Sequence, residues 1–175
     1  GAKSIEGPIT AYGVEAIARV RSRTGEIDAW KLQNCCPVSL VSSLRSSRTL
    51  TSVDLRNMET LDFTLQVFLS LPQVDELLLG GCRKLGGTLT VPLIKLVTDI
   101  RKKHGLDAVD LSGCGPFSIS AALPGLEDAD LRSVGTLVMQ DLSSFETCGS
   151  TLKSVMLDDC PNVEGNVGDL VQKCD

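Results

Sequence analysis

The sequence predicts an α/β fold: a right-handed solenoid of about six short repeats, with its parallel sheet on the concave face and its helices on the convex face. Three observations carry this. Six segments share a nine-residue pattern with apolar residues at places 1, 4 and 6. Leucine occurs 26 times in 175 residues, whereas Phe, Tyr and Trp together total six, so the core must be aliphatic and thin. Four of the seven cysteines stand at place 9 of the pattern. The length suits a single domain spanning residues 1–175, which can bury about 70% of its unfolded surface without a disulfide or a metal. With 42% hydrophobic and 22% charged residues, disordered and low-complexity classes are excluded.

The six segments are 27–35, 50–58, 74–82, 106–114, 126–134 and 152–160, with starts separated by 23, 24, 32, 20 and 26 residues and a mean of 25. Places 4 and 6 are two apart, so they share one face of a short strand, and places 3, 5 and 7 share the other. One such strand cannot bury its apolar face, but stacked copies form a continuous core. Cys35, Cys82, Cys114 and Cys160 at place 9 form a structural ladder where the chain leaves each strand. There a small thiol packs inward with a backbone carbonyl in reach.

Between the strands the pattern turns helical. Val14, Ile17 and Val20 are spaced by three, and Leu93, Ile94, Leu96, Val97 and Ile100 by three and four. Pro92 suits a first turn, Arg101-Lys102-Lys103 complement the helix dipole, and Gly105 stops the helix. Residues 38–50 and 64–71 read as shorter helices, 118–123 as one turn at most, and 167–174 as the start of another helix. Residues 137–148 follow neither period cleanly.

The segment Leu106-Asp-Ala-Val-Asp-Leu-Ser-Gly-Cys114 resembles the cysteine-containing leucine-rich repeats grouped with ribonuclease-inhibitor-like folds, and is similar to the repeat regions of F-box substrate receptors. Ile9-Thr-Ala-Tyr-Gly-Val-Glu-Ala-Ile-Ala18 resembles the lead-in of that repeat, and the likeness spans about residues 9–165. It departs where Met58 and Val134 replace the cysteine. The resemblance implies a leucine-rich repeat solenoid that binds proteins. No F-box-like helical segment accompanies it, so a ubiquitin-ligase role has no support in this chain.

Catalysis has little to work with, and the reading is a protein that is not an enzyme and uses no cofactor. His104, the lone histidine, sits between Lys103 and Gly105 as a helix C-terminal residue that needs no chemistry. Asp158 and Asp159 are adjacent, so on a strand they face opposite ways. Place-9 cysteines would stack in a row about 4.8 Å apart rather than a tetrahedron, which argues against zinc. Gly80-Gly-Cys-Arg-Lys-Leu-Gly-Gly87 lacks the Gly-Lys-Ser/Thr ending of a phosphate loop and reads as a tight turn. A net charge of −5 argues against a nucleic-acid partner, and no apolar run approaches a membrane span. The odd cysteine count, without a secretory leader, points to a reducing, intracellular setting, the cytoplasm ahead of the nucleus. Cys36, Cys148 and Cys174 fall outside the ladder.

The expected binding surface is the face given by places 3, 5 and 7. Its candidate partner-binding residues are Lys31, Asp54, Arg56, Glu76, Leu78, Asp110, Asp130, Arg132, Met156 and Asp158. The face holds six acids against three bases, and its apolar members suit a protein partner. Charge reversal at Asp54, Asp110 and Asp130 together is expected to weaken partner binding without unfolding. Two other readings stand beside this one: an assembly subunit of a larger complex that docks by its ends, and a GTPase-activating regulator of the Ran-activator type.

Overall fold

The computed structural model describes residues 10–25, 44, 47–58, 64–138, 143–160 and 163–164. The pattern at 27–35, with Lys31 and Cys35, lies outside them, as do Cys36, Cys174 and the helix expected at 167–174.

Two helices run beyond one turn among the described residues. Helix α1 (Ala11–Thr24) starts at Thr10, whose hydroxyl accepts the Gly13 N–H at 3.2 Å, and ends at the left-handed Gly25. Helix α2 (Val91–His104) starts after the extended Thr90, with Pro92 in its first turn and four basic residues in its last. Each buries the face that its apolar spacing marks out: Val14 and Ile17 in α1, and Leu93, Ile94, Val97 and Ile100 in α2. The segment expected as a helix at 64–71 is a tighter 3₁₀ stretch, Leu65–Ser70, and of 38–50 only 44 and 47–50 are described.

Nine short strands complete the described fold: β1 (Ser52–Asp54), β2 (Glu76–Leu78), β3 (Gly87–Leu89), β4 (Val109–Asp110), β5 (Phe117–Ile119), β6 (Asp128–Asp130), β7 (Leu137–Val138), β8 (Ser154–Met156) and β9 (Val163–Glu164). Five of them, β1, β2, β4, β6 and β8, fall inside the nine-residue pattern. They pair in parallel with place 4 opposite place 4: Val53 with Leu77, Leu77 with Val109, and Ala129 with Val155.

The predicted solenoid, with one parallel sheet on a concave face and helices along a convex face, is not what forms. The strands fall into three separate parallel sheets, ordered β1-β2-β4, β3-β5-β7-β9 and β6-β8. Two physical reasons account for the difference. The intervals after β2, β4 and β6 are occupied by further strands, including β5 where one helical turn was expected at 118–123 and β7 at the start of the ambiguous 137–148. The row of pattern strands is also interrupted between β4 and β6, where α2 drives two buried side chains, Thr98 and Arg101, against the strand edges.

Places 4 and 6 fill one aliphatic core with Val53, Leu55, Leu77, Leu79, Val109, Leu111, Ala129 and Leu131, while Phe68 and Phe117 are its largest fully buried side chains. Each pattern strand leaves through the same turn. The place-9 N–H returns to the place-6 carbonyl, as in Cys82 to Leu79 at 3.1 Å and Val134 to Leu131 at 3.3 Å. The residue between them, at place 8, has positive φ in all five: Asn57 (60°), Gly81 (79°), Gly113 (62°), Ser133 (51°) and Asp159 (56°). That conformation suits Gly and Asn at the third position of a turn.

Candidate functional site

An Asp and an Arg two residues apart on a strand point the same way, and the sequence has this pair twice, in Asp54-Leu55-Arg56 and Asp130-Leu131-Arg132. In each, the arginine grips its own strand's carboxylate with two parallel bonds. Arg56 and Arg132 both donate from Nε to Oδ1 at 2.9 Å and from Nη2 to Oδ2 at 2.6 Å. A second arginine arrives from a helix. Arg21 of α1 donates Nη1 to Asp54 Oδ1 at 2.8 Å and to the Asp54 carbonyl at 3.3 Å, and Nη2 to the Arg56 carbonyl at 3.2 Å. Arg101 of α2 donates Nη1 to Asp130 Oδ1 and to the Asp130 carbonyl, both at 3.1 Å, and Nη2 to the Val109 carbonyl at 3.0 Å. Both helix arginines have side chains only 1% exposed.

Burial by itself would raise the Asp54 carboxyl, but the bonds and charges of Arg56 and Arg21 outweigh it and hold the group below the ordinary carboxylate range. Asp130 is lowered in the same way, with burial opposed by Arg132 and Arg101. Both carboxylates are therefore ionised and fully engaged at neutral pH.

This corrects the sequence expectation at two positions. Asp54 and Asp130 were expected on an open acidic face, yet they are buried, so a lysine at either would set a cation against two guanidinium groups. Charge reversal that includes them cannot spare the fold. Arg56 and Arg132 are half-buried and tied to those carboxylates. Glu76, Leu78, Asp110 and Met156 are half-buried on the strand face, and Asp158 is exposed. Glu76 accepts from the Ser52 hydroxyl, and Asp110 accepts from the Ser112 N–H at 3.0 Å and hydroxyl at 2.7 Å. Gly80 gives Asp110 its room, because a Cβ there would stand 2.3 Å from Oδ2. Beside Asp110 lies a cleft of about 460 Å³ lined by Arg56, Leu78, Arg101, Leu106, Asp107 and Asp110, among others.

The thiols point elsewhere. Cys82, Cys114 and Cys160 donate to the carbonyls of Leu55, Leu79 and Leu131 at 3.1, 3.2 and 3.0 Å, each the place-6 carbonyl of the strand before. Burial pushes Cys82 up to about 11 and Cys114 up to about 12, and raises Cys160 and Cys148 as well. Leu111 is the place-6 residue whose following strand carries Val134 instead of cysteine, and the Gly135 N–H meets its carbonyl at 3.0 Å in the thiol's stead. His104 ends α2 with Nε2 3.0 Å from Asp75 Oδ1, which Lys103 also meets at 3.2 Å. Among the described residues no group of His, Cys, Asp and Glu is arranged to hold a metal, and no helix is long and apolar enough to cross a membrane.

Arg21, Thr98 and Arg101 were missed from sequence, although a signal existed. Residues 10–25 and 90–105 match eighty positions apart at Thr10/Thr90, Val14/Ile94, Ile17/Val97, Val20/Ile100, Arg21/Arg101 and Gly25/Gly105. Each copy precedes a strand reading Asp-Leu-Arg whose place 9 lacks cysteine. The two sites share one Arg–Asp–Arg latch, while only α2 adds the Thr98 bond and the reach to Val109, since Ala18 stands where α2 has Thr98. Comparison with known proteins adds no relative to this geometry: no family model, curated protein or solved structure matches the chain.

Proposed function

We propose that the chain is a non-enzymatic protein-interaction module that docks a basic protein partner on the face carrying Glu76, Leu78, Asp110, Met156 and Asp158. The observation that carries this reading is the charge left over on that face. Arg56 and Arg132 are spent on Asp54 and Asp130, while Glu76, Asp110 and Asp158 make no ion pair among the described residues. The face therefore presents negative charge around two half-buried apolar side chains, Leu78 and Met156, a mixture that favours a partner with Lys or Arg around an apolar anchor. The likeness of residues 106–114 to protein-binding repeats supports the same reading.

The test is cross-linked capture with the wild-type chain and with the combined variant Glu76→Lys, Asp110→Asn and Asp158→Lys, which leaves both buried latches intact. The reading expects one basic partner, held in constant proportion by the wild type, to be lost at least tenfold from a variant whose thermal melting is unchanged. Full retention by a folded variant moves docking off this face.

A further inference from the structure

The row of pattern strands follows a simple hydrogen-bond series. The Leu55 N–H donates to the Leu78 carbonyl at 2.9 Å, the Leu79 N–H to the Asp110 carbonyl at 2.8 Å, and the Leu131 N–H to the Met156 carbonyl at 2.9 Å. In each, a place-6 amide meets the place-5 carbonyl of the next strand. By this rule Leu111 should donate to Asp130. Instead the Asp130 carbonyl accepts from Arg101, the facing Val109 carbonyl accepts from the same guanidinium, and the Asp130 N–H donates to Thr98 Oγ1 at 2.9 Å. Leu111 pairs with Val134, three residues beyond its counterpart Leu131. Helix α2 thus supplies the bonds that β4 and β6 would otherwise make to each other.

The other side of the molecule is continuous across the same place. β5 pairs with β7 in register, and the Phe117 N–H reaches the Thr136 carbonyl at 2.8 Å. A broken ladder facing an unbroken one is the geometry of a hinge. Helix α2 spans the break on the surface too, with Lys103 and His104 on Asp75, just before β2, and Lys102 on Asp128 of β6 at 2.6 Å. Its buried contact is the Arg101–Asp130 pair.

We infer that the molecule opens at the β4–β6 seam, turning about the unbroken β5–β7 ladder, with Arg101 as the latch. Opening separates Val109 from Asp130 and leaves the pairings on either side intact. The device does not depend on what docks on the strand face. A partner that bound the two sides unequally would shift its equilibrium by its differential affinity alone.

Residue-resolved amide hydrogen exchange on the whole chain tests this, because alternate amides of one strand face opposite ways. Gly105 and the short turn Leu106–Ala108 join α2 directly to β4, so α2 travels with β4. Opening then frees the Gly135 amide from Leu111 and the Asp130 amide from Thr98 of α2, while Leu131 and Phe117 bond to strands that the opening leaves paired. In the wild type, Asp130 and Gly135 are expected to exchange together and at least tenfold faster than Leu131 and Phe117. Arg101→Met is expected to accelerate the first pair at least tenfold more than the second, over and above any change that a lower global stability gives all four amides. The wild-type comparison decides the matter even if that variant does not fold. One common rate for all four amides, or a Gly135 that keeps the slow rate while Asp130 alone frays, overturns the hinge.

Discussion

Removing Asp130 leaves a buried guanidinium without its compensating charge. Arg101 is buried and its Nε already lacks a hydrogen-bond partner among the described residues, so the carboxylate supplies its compensating charge. Asp130→Ala is expected to cost about 3–5 kcal/mol in urea unfolding. Arg132→Ala, which removes the more exposed partner, should cost a small fraction of that. Equal losses would show that the buried pair has no special place in the fold. The cysteines allow a second residue-level expectation. With Cys82 pushed up to about 11 and Cys114 to about 12, neither is a thiolate at pH 8. Iodoacetamide followed by peptide mass spectrometry should find both unmodified in the native protein and both alkylated in guanidinium chloride. Rapid native labelling of either would contradict their carbonyl-bonded, buried setting.

At the scale of elements, much was legible because it depends on local spacing. Period two placed β1, β2, β4, β6 and β8, and periods of three and four placed α1 and α2. Asp54 and Asp130 misled because alternation reports which face a side chain takes and not what arrives on that face. Their burial is made by Arg21 and Arg101, which lie 33 and 29 residues upstream. The ladder β3-β5-β7-β9 was hidden because its strands, as short as the others, lie outside the nine-residue pattern, and no recurring motif marks them. Glycine at the junctions of these elements has unequal tolerance. A Cβ on Gly135 would lie 2.7 and 2.8 Å from the Cys114 carbonyl oxygen and nitrogen, both fixed backbone. On Gly80 its three nearest neighbours would all be atoms of the Asp110 carboxylate, a side-chain group that can turn. Gly135→Ala is therefore expected to destabilise by about 1–3 kcal/mol. Gly80→Ala should cost clearly less and turn the Asp110 carboxylate away from the cleft. The urea midpoints of the two variants check the ranking.

For the molecule as a whole, the two latches give one acid-sensitive term. Both carboxyls titrate below their unfolded value of about 3.9, so their stabilisation is complete well above that pH and is lost as pH falls through the folded values. Urea midpoints should be flat from pH 8 to 6 and fall steeply below about pH 4. A stability that stays level down to pH 3 would show that the latches contribute little. The place-8 residues have a different consequence, for strand register. A strand that slipped by one residue would put Met58, Cys82, Cys114, Val134 or Cys160 into the left-handed position now held by Asn57, Gly81, Gly113, Ser133 or Asp159. At Gly81 and Gly113 the side chain of the incoming cysteine would cost about 1–2 kcal/mol over glycine, and the branched Val134 would fit the position of Ser133 worse than serine does. Parallel strands of three residues hold their alignment weakly, so the glycine turns after β2 and β4 mark the correct register by penalising a one-residue slip.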